Sequence, residues 1–214
     1  MKAEDLKKLR IEYANEALEI NAIIKNPILQ FENWFQEAMN AKEPEPNALV
    51  LSTINIDNKP SARVLLMKGI DENGFTFFTN YESKKGKELE MNPFAAATFL
   101  WAGLARQVRI EGKVEKVSQQ ESDEYFAVRP LGSRLGAWAS HQSAVIESRE
   151  VLETAEIELK KKYEGQEIPR PAHWGGYRLI PTYFEFWQGR ENRMHDRLAF
   201  TFENNNWKIE RLSP

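Results

Sequence analysis

Ala48-Leu49-Val50-Leu51-Ser52-Thr53-Ile54-Asn55, Ser61-Ala62-Arg63-Val64-Leu65-Leu66-Met67-Lys68-Gly69-Ile70 and Phe75-Thr76-Phe77-Phe78-Thr79 are three runs rich in Val, Ile, Leu, Thr and Phe. Asp57-Asn58-Lys59-Pro60 and Asp71-Glu72-Asn73-Gly74 part them. Apolar runs bounded by turn-forming clusters read as a meander of antiparallel strands. Working outward, two longer strands are expected over 95–101 and 107–117, then strands over 176–180 and 183–187, and a hairpin over 198–211 around Asn204-Asn205-Asn206. About eight strands joined by hairpins, with helices inserted between them, predict an α+β fold: an antiparallel barrel with peripheral helices. No alternating strand–helix rhythm and no Gly-x-Gly-x-x-Gly turn point to a doubly wound sheet.

Before the strands, residues 4 to about 20 carry Leu6, Leu9, Tyr13, Ala17 and Leu18 at helical spacing, which predicts an amphipathic helix. Asn26 followed by Pro27 is a cap and a first-turn proline, opening a second helix through Ile28, Phe31, Trp34, Phe35, Ala38 and Met39. Residues 1–40 thus form an N-terminal helical segment, and 42–47 a linker into the sheet. Ser118 with Glu121 makes a capping box for a helix through Val128, and 149–163 reads as another amphipathic helix.

The 214 residues suffice for one domain with a substantial core. A formal charge of −3 lacks the basic footprint of a general nucleic-acid binder. There is no cysteine, so disulfides, thiolate nucleophiles and Cys-ligated metals are excluded. His141, His173 and His195 form no close pair, which gives a metal site little support. The first residues lack the apolar stretch of a signal peptide, and no run of 18 apolar residues occurs. A cytoplasmic protein without membrane partners is expected.

Several groups of residues could carry chemistry. Arg193, His195 and Arg197 stand at alternate positions and, if extended, project two guanidiniums and an imidazole to one face, with Phe184, Phe186 and Trp187 upstream as an aromatic floor. A charged planar ligand suits that row. Arg63 and Lys68, five apart, face opposite sides of a regular strand unless it bulges or two ligands lie near its end. Ser83-Lys84-Lys85-Gly86 opens a helix, whose unpaired N–H groups and added lysines suit a phosphate. Four-residue steps put Tyr125 and Arg129 on one helical face, with Ser133 close by, again a recipe for a phosphate dianion. Gln107, Gln142 and Ser143 offer polar edges.

The run Phe184-Glu185-Phe186-Trp187-Gln188, four residues, then Arg193-Met194-His195-Asp196-Arg197 resembles the C-terminal signature of the pyridoxine/pyridoxamine 5′-phosphate oxidases, FMN enzymes that make pyridoxal 5′-phosphate. The resemblance extends from about Leu9 to Leu212 and implies a split β-barrel that binds FMN. It places Arg63, Val64, Leu65, Leu66, Met67, Lys68, Phe78, Thr79, Lys84, Lys85, Gln107, Gln142, Ser143, Trp187 and Arg197 against FMN. It assigns the substrate phosphate to Lys68, Tyr125, Arg129 and Ser133, the substrate ring to Arg193 and His195 as catalytic residues, and closure over the substrate to Arg10 and Tyr13. It also implies oxidation of phosphorylated B6 vitamers by O2 in a homodimer with the flavin at the interface. A split-barrel flavin reductase and a non-catalytic carrier of B6 phosphates are the alternatives. Two departures stand out. Many relatives have Arg where Lys84 stands, and paired arginines where this chain has Arg10-Ile11 and Leu18-Glu19-Ile20-Asn21.

Overall fold

The computed structural model describes residues 17–214. Its elements in chain order are α1 (Pro27–Asn40), β1 (Ala48–Ile54), β2 (Pro60–Leu66), β3 (Gly69–Asp71), β4 (Gly74–Asn80), α2 (Lys84–Met91), β5 (Phe94–Trp101), β6 (Arg106–Lys116), α3 (Gln119–Ala127), α4 (Leu131–Ala139), α5 (Glu150–Lys162), β7 (Trp174–Gln188), β8 (Asp196–Glu203) and β9 (Asn206–Leu212). Nine strands, against about eight expected, form one sheet in the order β2-β1-β5-β6-β7-β4-β3, with β8 pairing β7 and β9. The pairs β3–β4, β4–β7, β7–β8 and β8–β9 are antiparallel. The described residues, with the strands β1, β5, β6 and β7 passing through both, group into two compact units.

The first unit holds α1, residues 97–111 and 182–214. Asn26 Oδ1 accepts from the N–H groups of Ile28 and Leu29 at 2.9 and 3.2 Å, so the cap read from Asn26-Pro27 forms. From α1, Phe31 packs edge-on to Phe99 at 4.8 Å and Trp34 edge-on to Phe186 at 5.3 Å. The hairpin β8–β9 turns at Asn204 and Asn205, whose φ of 51° and 62° suit a tight primed turn.

The second unit holds residues 50–96 and 112–181. Its satellite core gathers Phe126, Leu135, Ile168 and Trp174. Gly86 lets α2 start hard against the chain, since a Cβ there would meet the Tyr81 carbonyl oxygen at 2.0 Å.

Several expectations need correction. The helix expected over 4–20 lies mostly outside the described residues, and 17–19 are not helical. Instead the Leu18 N–H bonds Asp196 Oδ2, and Arg211 donates to the Leu18 carbonyl, tying this stretch to the β8–β9 hairpin. The strand expected over 61–70 breaks at Met67-Lys68, where the Lys68 N–H turns to the Thr76 carbonyl at 2.8 Å. Strands expected over 176–180 and 183–187 are one 15-residue strand that runs through Pro181. Helix α4 was not expected. Gly132 and Gly136 lower its propensity, although Leu131, Leu135 and Trp138 carry its period.

Candidate active site

In the second unit, a cavity of about 400 Å³ is lined by Leu65, Leu66 and Lys68, by Phe78, Thr79 and Asn80, and by Tyr125, Arg129, Ser133, Gly136, Ala137, Ser140, Gln142 and Trp174. All four residues assigned to the substrate phosphate therefore share it with Leu65, Leu66, Phe78, Thr79 and Gln142 from the flavin set. They arrive by an unexpected route. Tyr125 and Arg129 do not share a helix face: α3 ends at Ala127, because Pro130 disfavours helix at the residue before it. Arg129 lies in the turn, and Ser133 on the first turn of α4.

The wall of the cavity is aromatic. The Phe78 ring stacks on Tyr125 at 4.0 Å and on Trp174 at 5.6 Å. Gly176 pairs with Phe78 across the β4–β7 ladder, and a Cβ there would come within 2.7 Å of that ring. The Arg129 guanidinium lies 4.4 Å from the Trp174 centroid, while its Nη1 is buried without a hydrogen-bond partner. Burial lowers the Arg129 pKa from its ordinary value, so a negative partner is what this group lacks. Trp174 is the residue the sequence reading missed, and its place just upstream of Gly175-Gly176 in an aromatic strand was the available signal.

Beside this cavity, Glu82, Lys84, Lys87, His141, Gln142, Ser143 and Ala144 line a second one of about 430 Å³. Ser83 caps α2 through Gly86, and Ser143 Oγ accepts from the Lys84 N–H at 3.2 Å, so hydroxyls already serve two of the N–H groups expected to hold phosphate. Lys85 is buried and donates to Gln142 Oε1 at 2.8 Å, Thr79 Oγ at 3.0 Å and Ser83 Oγ at 3.3 Å. Burial, and then the nearby Arg63 charge, pull its pKa down to about 8. Arg63 does not line the cavity. It bonds Glu88, Thr53, Ser61 and the Leu51 carbonyl. Val64 is exposed and Met67 is core.

The remaining predicted site residues among the described ones belong to the first unit. Arg193 and His195 are not on an extended row with Arg197: Asn192 and Arg193 have φ of 55° and 61°, and β8 starts only at Asp196. His195 packs 4.7 Å from Trp187, and its Nδ1 accepts from the Arg190 N–H. Phe184 and Phe186 are no ligand floor. Both are fully buried core, against Trp207 and Phe200, because alternation sends them to the face opposite Trp187. Arg197 is held by Glu185 at 2.8 and 3.1 Å and by the Ser213 carbonyl at 2.7 Å. Gln107 is half-buried on β6. Arg10 and Tyr13 lie outside the described residues.

Residues 35–161 match the family model described as pyridoxamine 5′-phosphate oxidase, and residues 174–214 the one described as the pyridoxine 5′-phosphate oxidase C-terminal dimerisation region. A pyridoxine/pyridoxamine 5′-phosphate oxidase of Paraburkholderia phytofirmans is 56% identical over 98% of this chain and 99% of its own. One from Nostoc punctiforme is 59% identical over 96% and 97%. Among solved structures, PhzG from Burkholderia lata in complex with tetrahydrophenazine-1-carboxylic acid is 32% identical, with a TM-score of 0.88 over 94% of this chain and all of its own. A pyridoxamine 5′-phosphate oxidase-related, FMN binding protein of Nostoc punctiforme, at 16% identity and a TM-score of 0.69 over 86% of this chain and 97% of its own, shares the split-barrel fold. With family models spanning most of its length and relatives above half identity from end to end, the chain belongs to the pyridoxine/pyridoxamine 5′-phosphate oxidase family.

Proposed function

We propose that this chain, as one domain, is an FMN-dependent oxidase that converts pyridoxamine 5′-phosphate and pyridoxine 5′-phosphate to pyridoxal 5′-phosphate. The alcohol with O2 gives aldehyde and hydrogen peroxide; the amine with O2 and water gives aldehyde, ammonia and hydrogen peroxide. The observation that carries the reading is Arg129, whose Nη1 is buried and unpartnered in a cavity shared with Lys68, Tyr125 and Ser133. A phosphate dianion satisfies that guanidinium by charge-assisted bonds, and the hydroxyls fill its remaining acceptor sites.

FMN, when bound, supplies the two-electron chemistry and hands the electrons to O2. Leu65, Leu66, Lys68, Phe78, Thr79 and Gln142 would hold it from the cavity, with Lys84, Lys85 and Ser143 beside them. The fit rests on Lys85, a buried ammonium bonded to uncharged oxygens only, beside which an anion belongs. Arg63, Val64, Met67, Gln107, Trp187 and Arg197 complete the flavin set by family likeness. Arg197 would stabilise negative charge on the reduced flavin, and Arg193 and His195 would take the pyridine ring. The match to a region described as dimerising supports a homodimer with the flavin at its interface. No helix among the described residues is long and apolar enough to cross a membrane, and a cysteine-free chain fits the reducing cytoplasm.

The test is direct. Purified protein should be yellow, sediment as two chains, release FMN on heating, and form pyridoxal 5′-phosphate and peroxide when each phosphorylated vitamer is added under air. Bound flavin without turnover would favour a carrier, and turnover only with a reduced nicotinamide would favour a flavin reductase. Colourless protein that cannot take up FMN would end the reading.

A further inference from the structure

Tyr125, Arg129 and Ser133 reach one cavity from three places: α3, the turn after it, and α4. Pro130 interrupts the helix between them, so no single helix sets their spacing. The segment Pro169-Arg170-Pro171-Ala172-His173-Trp174 touches all three places. Arg170, whose side chain is 13% exposed, donates from Nε to Asp123 Oδ1 at 2.6 Å, two residues before Tyr125 on α3. From Nη1 it donates to the Trp174 carbonyl at 2.6 Å. Trp174 is the ring that carries the Arg129 guanidinium at 4.4 Å.

The same segment closes α4. His173 Nε2 lies 3.0 Å from the Ala137 carbonyl, and because a carbonyl only accepts, His173 carries a proton on Nε2. Ala137 is in the last turn of α4, four residues after Ser133, where helix carbonyls lack a donor from their own helix. Trp138 Nε1 donates to the Pro169 carbonyl at 2.8 Å, and the Tyr81 N–H donates to the His173 carbonyl at 2.7 Å, which secures the segment beside the end of β4. These bonds add little to the core. Phe126, Leu135, Ile168 and Trp174 already pack α3, α4 and this segment together. Asp123 is 60% exposed, and an ion pair with an exposed partner contributes little to stability. A planar guanidinium holding two acceptors at once fixes direction instead.

We propose that residues 169–174 are a strap that sets the spacing of the phosphate-binding groups, with Arg170 and His173 as its positioning residues. The proposal rests on the reading of the cavity as the substrate-phosphate seat. Neither residue lines that cavity, so both act through others: Arg170 through α3 and Trp174, His173 through α4. A loosened strap lets Tyr125, Arg129 and Ser133 drift from the geometry that fits one phosphate. Binding of the phosphate then weakens, while the chemistry at the substrate ring is untouched.

The experiment is steady-state turnover of pyridoxamine 5′-phosphate and of unphosphorylated pyridoxine by the FMN-loaded protein under air, with Tm recorded for each variant. Arg170→Gln should raise KM for the phosphorylated substrate by about threefold to tenfold with kcat within about twofold, and leave pyridoxine unchanged. Arg170→Lys should restore only part of the loss, because an ammonium on a flexible stem does not hold both acceptors as the fork does. His173→Ala should raise the same KM, and His173→Gln, which keeps an N–H donor for the Ala137 carbonyl, should bring it back. If Arg170→Gln does not fold, Asp123→Asn takes its place, since that exposed side chain tolerates the change and its loss frees the same guanidinium. An unmoved KM in the Arg170 or Asp123 variant or in His173→Ala overturns the proposal, as does a fall in Tm alone or an equal loss for pyridoxine. If Arg129→Ala also left KM for the phosphorylated substrate unmoved, the phosphate seat itself would be wrong.

Discussion

In the first unit Arg106, Arg109, Arg197 and Arg211 meet carboxylates; in the cavity of the second, Arg129 rests on aromatic faces. Glu185, 2% exposed, accepts from Arg197 at 2.8 Å and from Arg109 at 3.1 Å, and Glu37 takes Arg106. The Glu185 bonds raise the Arg197 pKa, whereas burial lowers that of Arg129, which rests on Trp174 and leaves one nitrogen without a partner. A guanidinium neutralised from within contributes to the fold. One buried without a counter-charge is held ready for an anion from outside.

The largest effect should come from breaking the neutralised side of this comparison. Glu185→Ala leaves Arg197 and Arg109 without their shared carboxylate. Removing one partner of a buried ion pair costs about 3–5 kcal/mol, and the partial exposure of both arginines reduces that to roughly 2–3. Thermal unfolding should show a fall in Tm of about 4–12 °C. An unchanged Tm with lost FMN would mean that Glu185 serves the ligand and not the fold.

Next comes the side held ready. A charge-assisted hydrogen bond is worth roughly 1.5–3 kcal/mol, so Arg129→Ala should lower kcat/KM for phosphorylated vitamers by about tenfold to a hundredfold. Unphosphorylated pyridoxine should be a poor substrate of the unaltered protein and should change little in the variant. Equal losses for both substrates would remove the phosphate seat and erase the contrast with Arg197. Stability should hold or rise slightly, since the variant sheds a buried unpaired group.

Local chemistry was the legible part of this chain. Asn26-Pro27 and Asn204-Asn205 announce a cap and a turn because the side chains that make them adjoin in sequence. The meander of β1 to β4 follows for the same reason, apart from the break at Met67-Lys68, which the Thr76 carbonyl from the neighbouring strand helps to hold. Long-range partners were not legible. Nothing beside Arg197 declares that Glu185 faces it diagonally across a ladder in which Trp187 is its direct neighbour. Likewise Phe184 and Phe186 looked like a ligand floor next to the cations, and only the sheet's two-sidedness sends them to the core. Family likeness supplied the names of the phosphate residues, but Pro130 replaced the expected helix face with a turn between α3 and α4.

The smallest effect concerns the ring beneath Arg129. Trp174 is nearly buried, stacks on Phe78 and carries the guanidinium at 4.4 Å. Indole is the strongest of the aromatic cation acceptors, and weakening such a contact costs up to about 1 kcal/mol, part of the roughly 0.5–2 kcal/mol that a whole cation–π contact contributes. Trp174→Phe keeps an aromatic wall but weakens the support that orients Arg129 toward the cavity. KM for pyridoxamine 5′-phosphate should therefore rise by about twofold to fivefold with kcat nearly unchanged. In an Arg129→Ala background the same substitution should leave KM unaltered, because the ring would have no cation to orient. If Trp174→Phe raised KM equally in both backgrounds, the ring would act on the substrate or flavin directly, and the unpaired Arg129 would not depend on its aromatic seat.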